Sequence, residues 1–148
     1  MSHRLPVSVL VLVISDSAET LLLCRRGPQP LWQSVTGSLL PGETPAAAAR
    51  RELCEETGIT DCGRMLDTGV SKEFEIFPQW RHRFAPGVTH NLEHRFELRV
   101  EHAGAVQLSR HEHRGYAWVT PEEALGRMFS WTNREALRQA LSRQRPGS

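Results

Sequence analysis

The chain has 148 residues, of which 39% are hydrophobic, and its 18 basic and 17 acidic side chains leave a net charge of +1. This length predicts one globular domain, residues 1–148, with a sizeable core, and it argues against a multidomain or a mainly disordered protein. The near-zero charge excludes a large electrostatic surface for a nucleic-acid polymer, so any bound polyanion is expected to be small.

The predicted elements alternate between strands and helices. The apolar run from Val7 to Ile14 is too short to cross a bilayer and too rich in Val and Ile to favour a helix, so we interpret it as a buried strand and expect no membrane partner. A polar turn and the run 21–24 complete a hairpin. Further strands are predicted at 32–36, 74–77, 95–100 and 116–119, and helices at 45–57, 121–127 and 131–143. This order predicts an α/β protein with a mixed β-sheet that is covered on its faces.

The signals for the helix 45–57 are the clearest in the chain. Thr44 is a suitable N-cap, Pro45 suits the first turn, and Gly58 suits the position after the last turn. Ala49 and Leu53 belong to an apolar stripe of mostly small side chains, which would let this helix lie close to a sheet.

Three glutamates, Glu52, Glu55 and Glu56, occupy the second half of this helix. Positions i, i+3 and i+4 share a helix face, so we expect the three carboxylates to aim at one patch of space. Like charges at that spacing, near the negative end of the helix dipole, destabilise the helix. A divalent cation such as Mg²⁺, which prefers carboxylate oxygens, would relieve the repulsion. The glutamates alone also leave open a solvated acidic face.

Residues 37–59 resemble the Nudix box, G-x5-E-x7-R-E-U-x-E-E-x-G-U, at every defined position. The resemblance implies a Nudix fold, an α/β/α sandwich, and hydrolysis of a pyrophosphate linkage with Mg²⁺ or Mn²⁺ as cofactor. It implies that Glu52 and Glu56, with Glu55 and the Gly37 carbonyl, hold the metal. Glu43 and Arg51 would form the pair that fixes the preceding loop onto the helix. Either Glu55 or Glu56 could orient the attacking water as general base.

Glu112 lies at the position from which many Nudix proteins supply a further carboxylate, in a loop before a late strand. Its neighbours His111 and His113 raise the alternative of a His-Glu-His metal cluster. Three adjacent residues rarely converge on one ion, which disfavours this cluster. The resemblance implies Glu112 alone as the further metal ligand and catalytic residue. A solvated loop residue is the remaining alternative.

Further strings, PVSVLV, LWQSVTGS, EFEIF, RHRFAPGVTHN and SWTNREAL, resemble those Nudix hydrolases that act on a pterin triphosphate. This resemblance implies hydrolysis of 7,8-dihydroneopterin triphosphate to the monophosphate and pyrophosphate, an early step of folate biosynthesis. A flat pterin needs aromatic or apolar walls, for which Phe74, Phe77 and Trp131 are candidates, and arginines would meet the triphosphate. The residues that the resemblance places at the substrate are Arg4, Arg25, Thr36, Phe74, Glu75, Ile76, Phe77 and Ser130.

Two other functions stay open. The same chemistry could act on ordinary or oxidised nucleoside triphosphates, because such pockets share their phosphate chemistry and differ around the base. A nucleotide-sensing Nudix module without catalysis is disfavoured by the intact glutamates, and a messenger-RNA decapping role by the near-zero charge. The expected partner is therefore a small pterin or nucleoside triphosphate, and the expected assembly a monomer or a small homo-oligomer.

The cysteines favour a reduced, cytoplasmic protein. Cys24, Cys54 and Cys62 are odd in number and contain no C-x-x-C pair, so they make no complete disulfide framework.

Overall fold

The computed structural model describes residues 3–143. The strands within this range are β1 (Val7–Ser15), β2 (Thr20–Arg25), β3 (Trp32–Gln33), β4 (Val35–Ser38), β5 (Met65–Glu75), β6 (His90–Val100) and β7 (His113–Val119). The α-helices are α1 (Pro45–Thr57), α2 (Pro121–Arg127) and α3 (Trp131–Arg143), and a 3₁₀ helix covers Pro78–Arg83. None of these helices is both long and apolar enough to cross a membrane.

Strand β1 is the centre of a mixed sheet. It runs parallel to β6 over its whole length, from Val7 opposite Leu92 to Ser15 opposite Val100. It is antiparallel to β2 and β4, while β5 pairs with the far side of β6 and β3 and β7 pair with β2. The predicted mixed sheet is confirmed.

Alternate residues of β1 point to opposite faces of the sheet, and each face is covered by helices. The odd-numbered valines from 9 to 13 pack with Ala49 and Leu53 of α1. The even-numbered residues Leu10, Leu12 and Ile14 pack instead with α2 and α3, through side chains such as Ala124 and Leu137. The result is the predicted α/β/α sandwich.

The bounds of α1 agree with the prediction because its ends are set by local chemistry. The Thr44 hydroxyl accepts a hydrogen bond from the Ala47 N–H at 3.2 Å, which caps the first turn. Gly58 adopts a left-handed φ of 77°, and its N–H donates to the Cys54 carbonyl at 2.9 Å. This conformation suits glycine and ends the helix at Thr57. The bounds of α2 and α3 also agree with the prediction.

The strand predictions need correction in several places. Strand β5 begins at Met65 rather than at 74 and ends at Glu75, so Ile76 and Phe77 lie outside it. Strand β6 begins at His90 rather than at 95, and the predicted strand 32–36 is two strands separated by Ser34. β5 lies at the edge of the sheet with most of its side chains exposed, and its pairing with β6 shifts register near Gly69. An edge strand of this kind lacks the apolar alternation from which strands are predicted.

Candidate active site

A cavity of about 680 Å³ lies beside the C-terminal half of α1 and brings together residues from most of the chain. Its size is within the range of small-molecule sites. Apart from Trp131, all but three of the predicted site residues line it, namely Arg4, Arg25, Thr36, Gly37, Arg51, Glu52, Glu56, Phe74, Ile76, Phe77, Glu112 and Ser130. The other three, Glu43, Glu55 and Glu75, lie outside its wall.

The acidic end of the cavity is formed by Glu52 and Glu56, which are 8% and 1% exposed. Neither carboxylate oxygen of Glu56 has a hydrogen-bond partner within the described part of the chain. Burial raises the pKa of both groups, and the neighbouring Glu52 carboxylate raises the pKa of Glu56 further, well above its usual range. Two buried acids side by side are unfavourable unless a cation or a proton neutralises them.

Glu112 and His113 complete a set of potential metal ligands around Glu56. One ligand atom from each of these three residues lies within 4.8 Å of the other two. His113 is buried, and its Nε2 is 3.6 Å from Oε1 of Glu56. Burial, and then the charge of Arg25, lower the pKa of His113 to about 4, so its imidazole is neutral near neutral pH. Carboxylate oxygens without partners and a neutral imidazole together fit a divalent cation.

Glu55 does not join this cluster. Its side chain is 56% exposed, and its carboxylate accepts a hydrogen bond from Nη1 of Arg51 at 3.3 Å. Successive residues of an α-helix are about 100° apart, so Glu55 and Glu56 diverge although each is close to Glu52. The structure therefore brings together two of the three glutamates that were expected to share one patch.

Arg51 ties the loop before α1 to the helix. Its Nε and Nη2 each donate to the Glu43 carboxylate at 2.8 Å, Nη2 also donates to the Ser38 carbonyl at 3.0 Å, and Nη1 donates to Glu52 at 2.8 Å. Glu43 also accepts the Leu40 N–H at 2.9 Å. The hydrogen bonds from Arg51 lower the pKa of Glu43 to about 2, so this carboxylate stays ionised. The expected pair is present, and Nη1 of Arg51 supports the Glu52 carboxylate.

Another part of the cavity wall is cationic and aromatic. The rings of Phe77, Trp80 and Phe129 form one cluster with centroids 5.3–6.1 Å apart. The guanidinium of Arg25 lies 4.4 Å from the centre of the Trp80 ring, and that of Arg83 lies 5.8 Å from it. Aromatic faces beside arginines suit a flat heterocycle that carries phosphates.

Two predicted wall residues are placed elsewhere. Glu75 is 67% exposed on its side chain and pairs with Nη2 of Arg81 at 2.6 Å. It alternates with Phe74 and Ile76 along an extended backbone, so it points to the other side. Trp131, the first residue of α3, is 46% exposed and does not line the cavity. The prediction that Trp131 is a wall of the cavity is wrong, and Trp80 and Phe129 provide aromatic surface instead.

Sequence reasoning missed part of the lining. Trp80 belongs to the 3₁₀ helix that Pro78 begins, which returns its ring to within 5.3 Å of Phe77. Pro78, which lies close to two aromatic residues, was a usable sequence signal for this change of chain direction. Asn91 and Glu93 also line the cavity, in the part of β6 that precedes the predicted strand.

Residues 4–140 match the sequence profile of the NUDIX domain, and the chain belongs to the Nudix family. It is 41% identical over 141 residues to the dihydroneopterin triphosphate diphosphatase of Escherichia coli, with 93% of each chain covered. It is 37% identical over 145 residues to the enzyme of the same name from Haemophilus influenzae, with 95% of this chain and 90% of that one covered. The solved structure of the E. coli dihydroneopterin triphosphate pyrophosphohydrolase matches with a TM-score of 0.89 at 39% identity, covering 97% of this chain and 99% of that one. The predicted Nudix fold is confirmed, and a divalent metal is the general cofactor of Nudix hydrolases.

Proposed function

We propose that this protein is a Mg²⁺-dependent pyrophosphohydrolase that converts 7,8-dihydroneopterin triphosphate to the monophosphate and pyrophosphate, an early step of folate biosynthesis. The observation that carries the proposal is one cavity that joins two buried carboxylates to a wall of arginines and aromatic rings. The identity of 41% to the E. coli diphosphatase over 93% of the chain supports the choice of substrate. The whole chain, 1–148, acts as a single catalytic domain.

The carboxylates of Glu52, Glu56 and Glu112, with the Gly37 carbonyl, would hold the metal, whereas the exposed Glu55 side chain is hydrogen-bonded to Arg51 and is not part of this set. Mg²⁺ is the proposed ion because the donors are mainly oxygens, and Mn²⁺ can replace it. When bound, the ion neutralises charge on the phosphoryl oxygens and lowers the pKa of water. The reaction consumes one water molecule and breaks the bond between the α- and β-phosphoryl groups.

The arginines provide the phosphate site. Burial lowers the pKa of Arg25, and the charges of Arg83 and Arg4 lower it further. Three guanidinium groups that repel one another are relieved by a ligand with several negative charges. Phe74, Ile76 and Phe77 support the pterin, and Ser130 lies at the same cavity beside Phe129.

The substrate is a small molecule, and we propose no nucleic-acid polymer or membrane as partner. We also propose a cytoplasmic location, supported by the free thiols of Cys24, Cys54 and Cys62.

A panel of triphosphates tests the substrate. Pyrophosphate release is measured for 7,8-dihydroneopterin triphosphate, GTP, dATP and 8-oxo-dGTP, with and without Mg²⁺. We expect the highest kcat/KM for the pterin and no turnover without a divalent ion. A nucleotide whose kcat/KM is much higher than that of the pterin contradicts the pterin assignment. It does not contradict the proposed pyrophosphohydrolase activity.

A matched pair of variants tests catalysis itself. Glu56→Gln is expected to remove nearly all turnover while the protein stays folded, because it removes one of the two buried charges. Glu123→Gln is the control, since Glu123 lies in α2 and pairs with Arg127 at 2.8 Å, away from the cavity. Turnover by Glu56→Gln at the wild-type rate contradicts the proposed metal site, and absence of turnover by the wild type on every triphosphate favours a sensing module.

A further inference from the structure

Two polar side chains at the wall of the cavity have atoms without partners. Asn91 and Glu93 are alternate residues of β6, so they point to the same face of the sheet, and both are 3% exposed. Oδ1 of Asn91 and Oε1 of Glu93 have no hydrogen-bond partner among residues 3–143. Leaving a buried polar atom unpaired costs about 1–3 kcal/mol. Such atoms beside a cavity indicate a ligand that completes their hydrogen bonds.

We propose that Asn91 and Glu93 recognise the edge of the bound heterocycle that carries a ring N–H between an amino group and a carbonyl. This inference deepens the proposed function, and it names the residues that select the ring. The pterin edge offers two adjacent donors, the ring N–H and the amino group, and one acceptor, the carbonyl. A carboxylate and the oxygen of an asparagine amide both accept hydrogen bonds, so the unpartnered oxygens of Glu93 and Asn91 together suit the two donors of this edge.

A hydrogen bond holds Asn91 in place for this contact, and Glu93 lies beside a fixed positive charge. Nδ2 of Asn91 donates to Oγ of Ser8, on the adjacent strand β1, at 2.7 Å. Oε1 of Glu93 is 4.0 Å from Nε of Arg95, and Nη1 of Arg95 donates to Glu135 of α3 at 2.8 Å. The Asn91 side chain, fixed in this way, needs little reordering when a ligand binds.

The protonation of Glu93 is compatible with this contact. Burial raises its pKa to about 7, and the charge of Arg95 and the hydroxyl of Thr132 oppose the rise. Donors on a ligand favour the ionised form of a carboxyl group. A ring that presents two donors would therefore bind and keep Glu93 ionised near neutral pH.

The proposed contact also determines which rings are rejected. Guanine presents the same edge as a pterin, whereas adenine presents a ring nitrogen that accepts and no carbonyl. Adenine would leave Glu93 facing an acceptor, and a site built for hydrogen bonds discriminates strongly against a ligand that cannot make them. The structure thus predicts a preference for pterin and guanine rings over adenine.

The test compares Glu93→Gln with Glu97→Gln. Glutamine keeps the size of the side chain but places an amide donor against the donors of the ring. Glu97 is the matched control because it lies on the same face of β6 and is 9% exposed, but it pairs with Arg143 of α3 and does not line the cavity. The measurements are kcat/KM for pterin triphosphate, GTP and ATP, and the affinity for neopterin, which lacks phosphates, by fluorescence titration without metal.

For Glu93→Gln we expect kcat/KM to fall about 100-fold or more for the pterin and for GTP, and to change less than about threefold for ATP. We expect neopterin affinity to fall to a similar extent, and Glu97→Gln to behave as the wild type. If Glu93→Gln does not fold, Asn91→Leu, which removes the amide at similar volume, is expected to show the same selective loss.

The two proposals fail in distinguishable ways. Equal affinity of the wild type and Glu93→Gln for neopterin overturns the role of Glu93, whichever triphosphate is hydrolysed best. A wild type that prefers another triphosphate overturns the substrate assignment. In that case, weaker neopterin binding by Glu93→Gln still supports recognition of this edge. A loss of equal size for ATP and for the pterin also overturns the inference, because it indicates general damage to the site.

Discussion

Replacement of Gly37 by alanine tests the packing behind the proposed metal site. Gly37 lies in β4, and a Cβ atom built on it would be 2.5 Å from Oε2 of Glu52 and still closer to the other two atoms of that carboxyl group. An ordinary van der Waals contact begins at 3.4 Å, so the Glu52 carboxylate would have to move by about 1 Å. Arg51, which donates to this carboxylate at 2.8 Å, limits the directions in which it can move.

The expected loss is in catalysis rather than in stability. A displacement of about 1 Å in a catalytic group can lower the rate on the order of 100-fold, and we expect that loss in kcat/KM together with a weaker dependence on Mg²⁺. The φ of Gly37 is not left-handed, so alanine can adopt its backbone conformation. A more restricted unfolded chain would contribute about 0.4–1 kcal/mol of stability and offset part of the steric cost.

The assay is pyrophosphate release over a range of Mg²⁺ concentrations, with thermal unfolding in the same buffer. Gly115→Ala is the control, because Gly115 is also a strand glycine without a left-handed φ, and a Cβ there would have no neighbour within 4 Å. We expect this control to keep wild-type activity. A folded Gly37→Ala variant with wild-type kcat/KM and Mg²⁺ dependence would show that the position of Glu52 does not limit catalysis.

Three further predictions concern the metal, the loop and the buried acid of β6. Mg²⁺ at 100 times its dissociation constant should stabilise the fold by about 2.7 kcal/mol, or roughly 5–10 °C in the melting temperature of a chain this size, and Glu56→Gln should lose most of this shift. Arg51→Lys keeps the charge but loses the paired hydrogen bonds to Glu43, so we expect kcat to fall about tenfold or more and chemical denaturation to show a loss of about 1–2 kcal/mol. The pKa of Glu93 rises from 4.5 to about 7 on folding, so its contribution to stability is present below pH 4.5 and lost as the pH rises through 7. This loss is about 3 kcal/mol, and denaturation of metal-free protein at several pH values should show it in the wild type but not in Glu93→Gln.

The sequence was sufficient for α1 and for much of the acidic end because those features depend on neighbours along the chain. The cap at Thr44, the left-handed Gly58 and the spacing of Glu52 and Glu56 are all local. The spacing did not determine the direction of Glu55. Glu55 and Glu56 follow Glu52 by three and four residues, and on a helix these two separations lie on opposite sides of the first residue. Only the contact with Arg51 shows which side Glu55 takes.

The part of the cavity proposed to bind the ring could not be predicted in the same way, because its residues come from segments that are distant in the sequence. The Trp80 and Phe129 rings pack against each other with centroids 5.9 Å apart, and no periodic pattern connects these two positions in the chain. Asn91 and Glu93 are polar residues in a buried strand. Because they interrupt the apolar alternation from which strands are predicted, the strand was predicted to begin after them, at 95. Their side-chain neighbours are far away in the sequence, since Asn91 donates to Ser8 of β1 and Glu93 lies beside Thr132 of α3.

The acidic group and the basic group of the cavity are each unfavourable without a ligand. Glu52 and Glu56 repel one another when no cation is bound, and Arg4, Arg25 and Arg83 repel one another when no polyanion is bound. A polyphosphate alone would relieve the arginines but would add negative charge near the glutamates, and a cation alone would do the reverse. A complex of cation and polyphosphate relieves both ends together, so each component is expected to raise the affinity for the other. The like charges of the two groups, of which only Glu52 and Glu56 are buried, thereby favour the combination of ligands that the reaction requires.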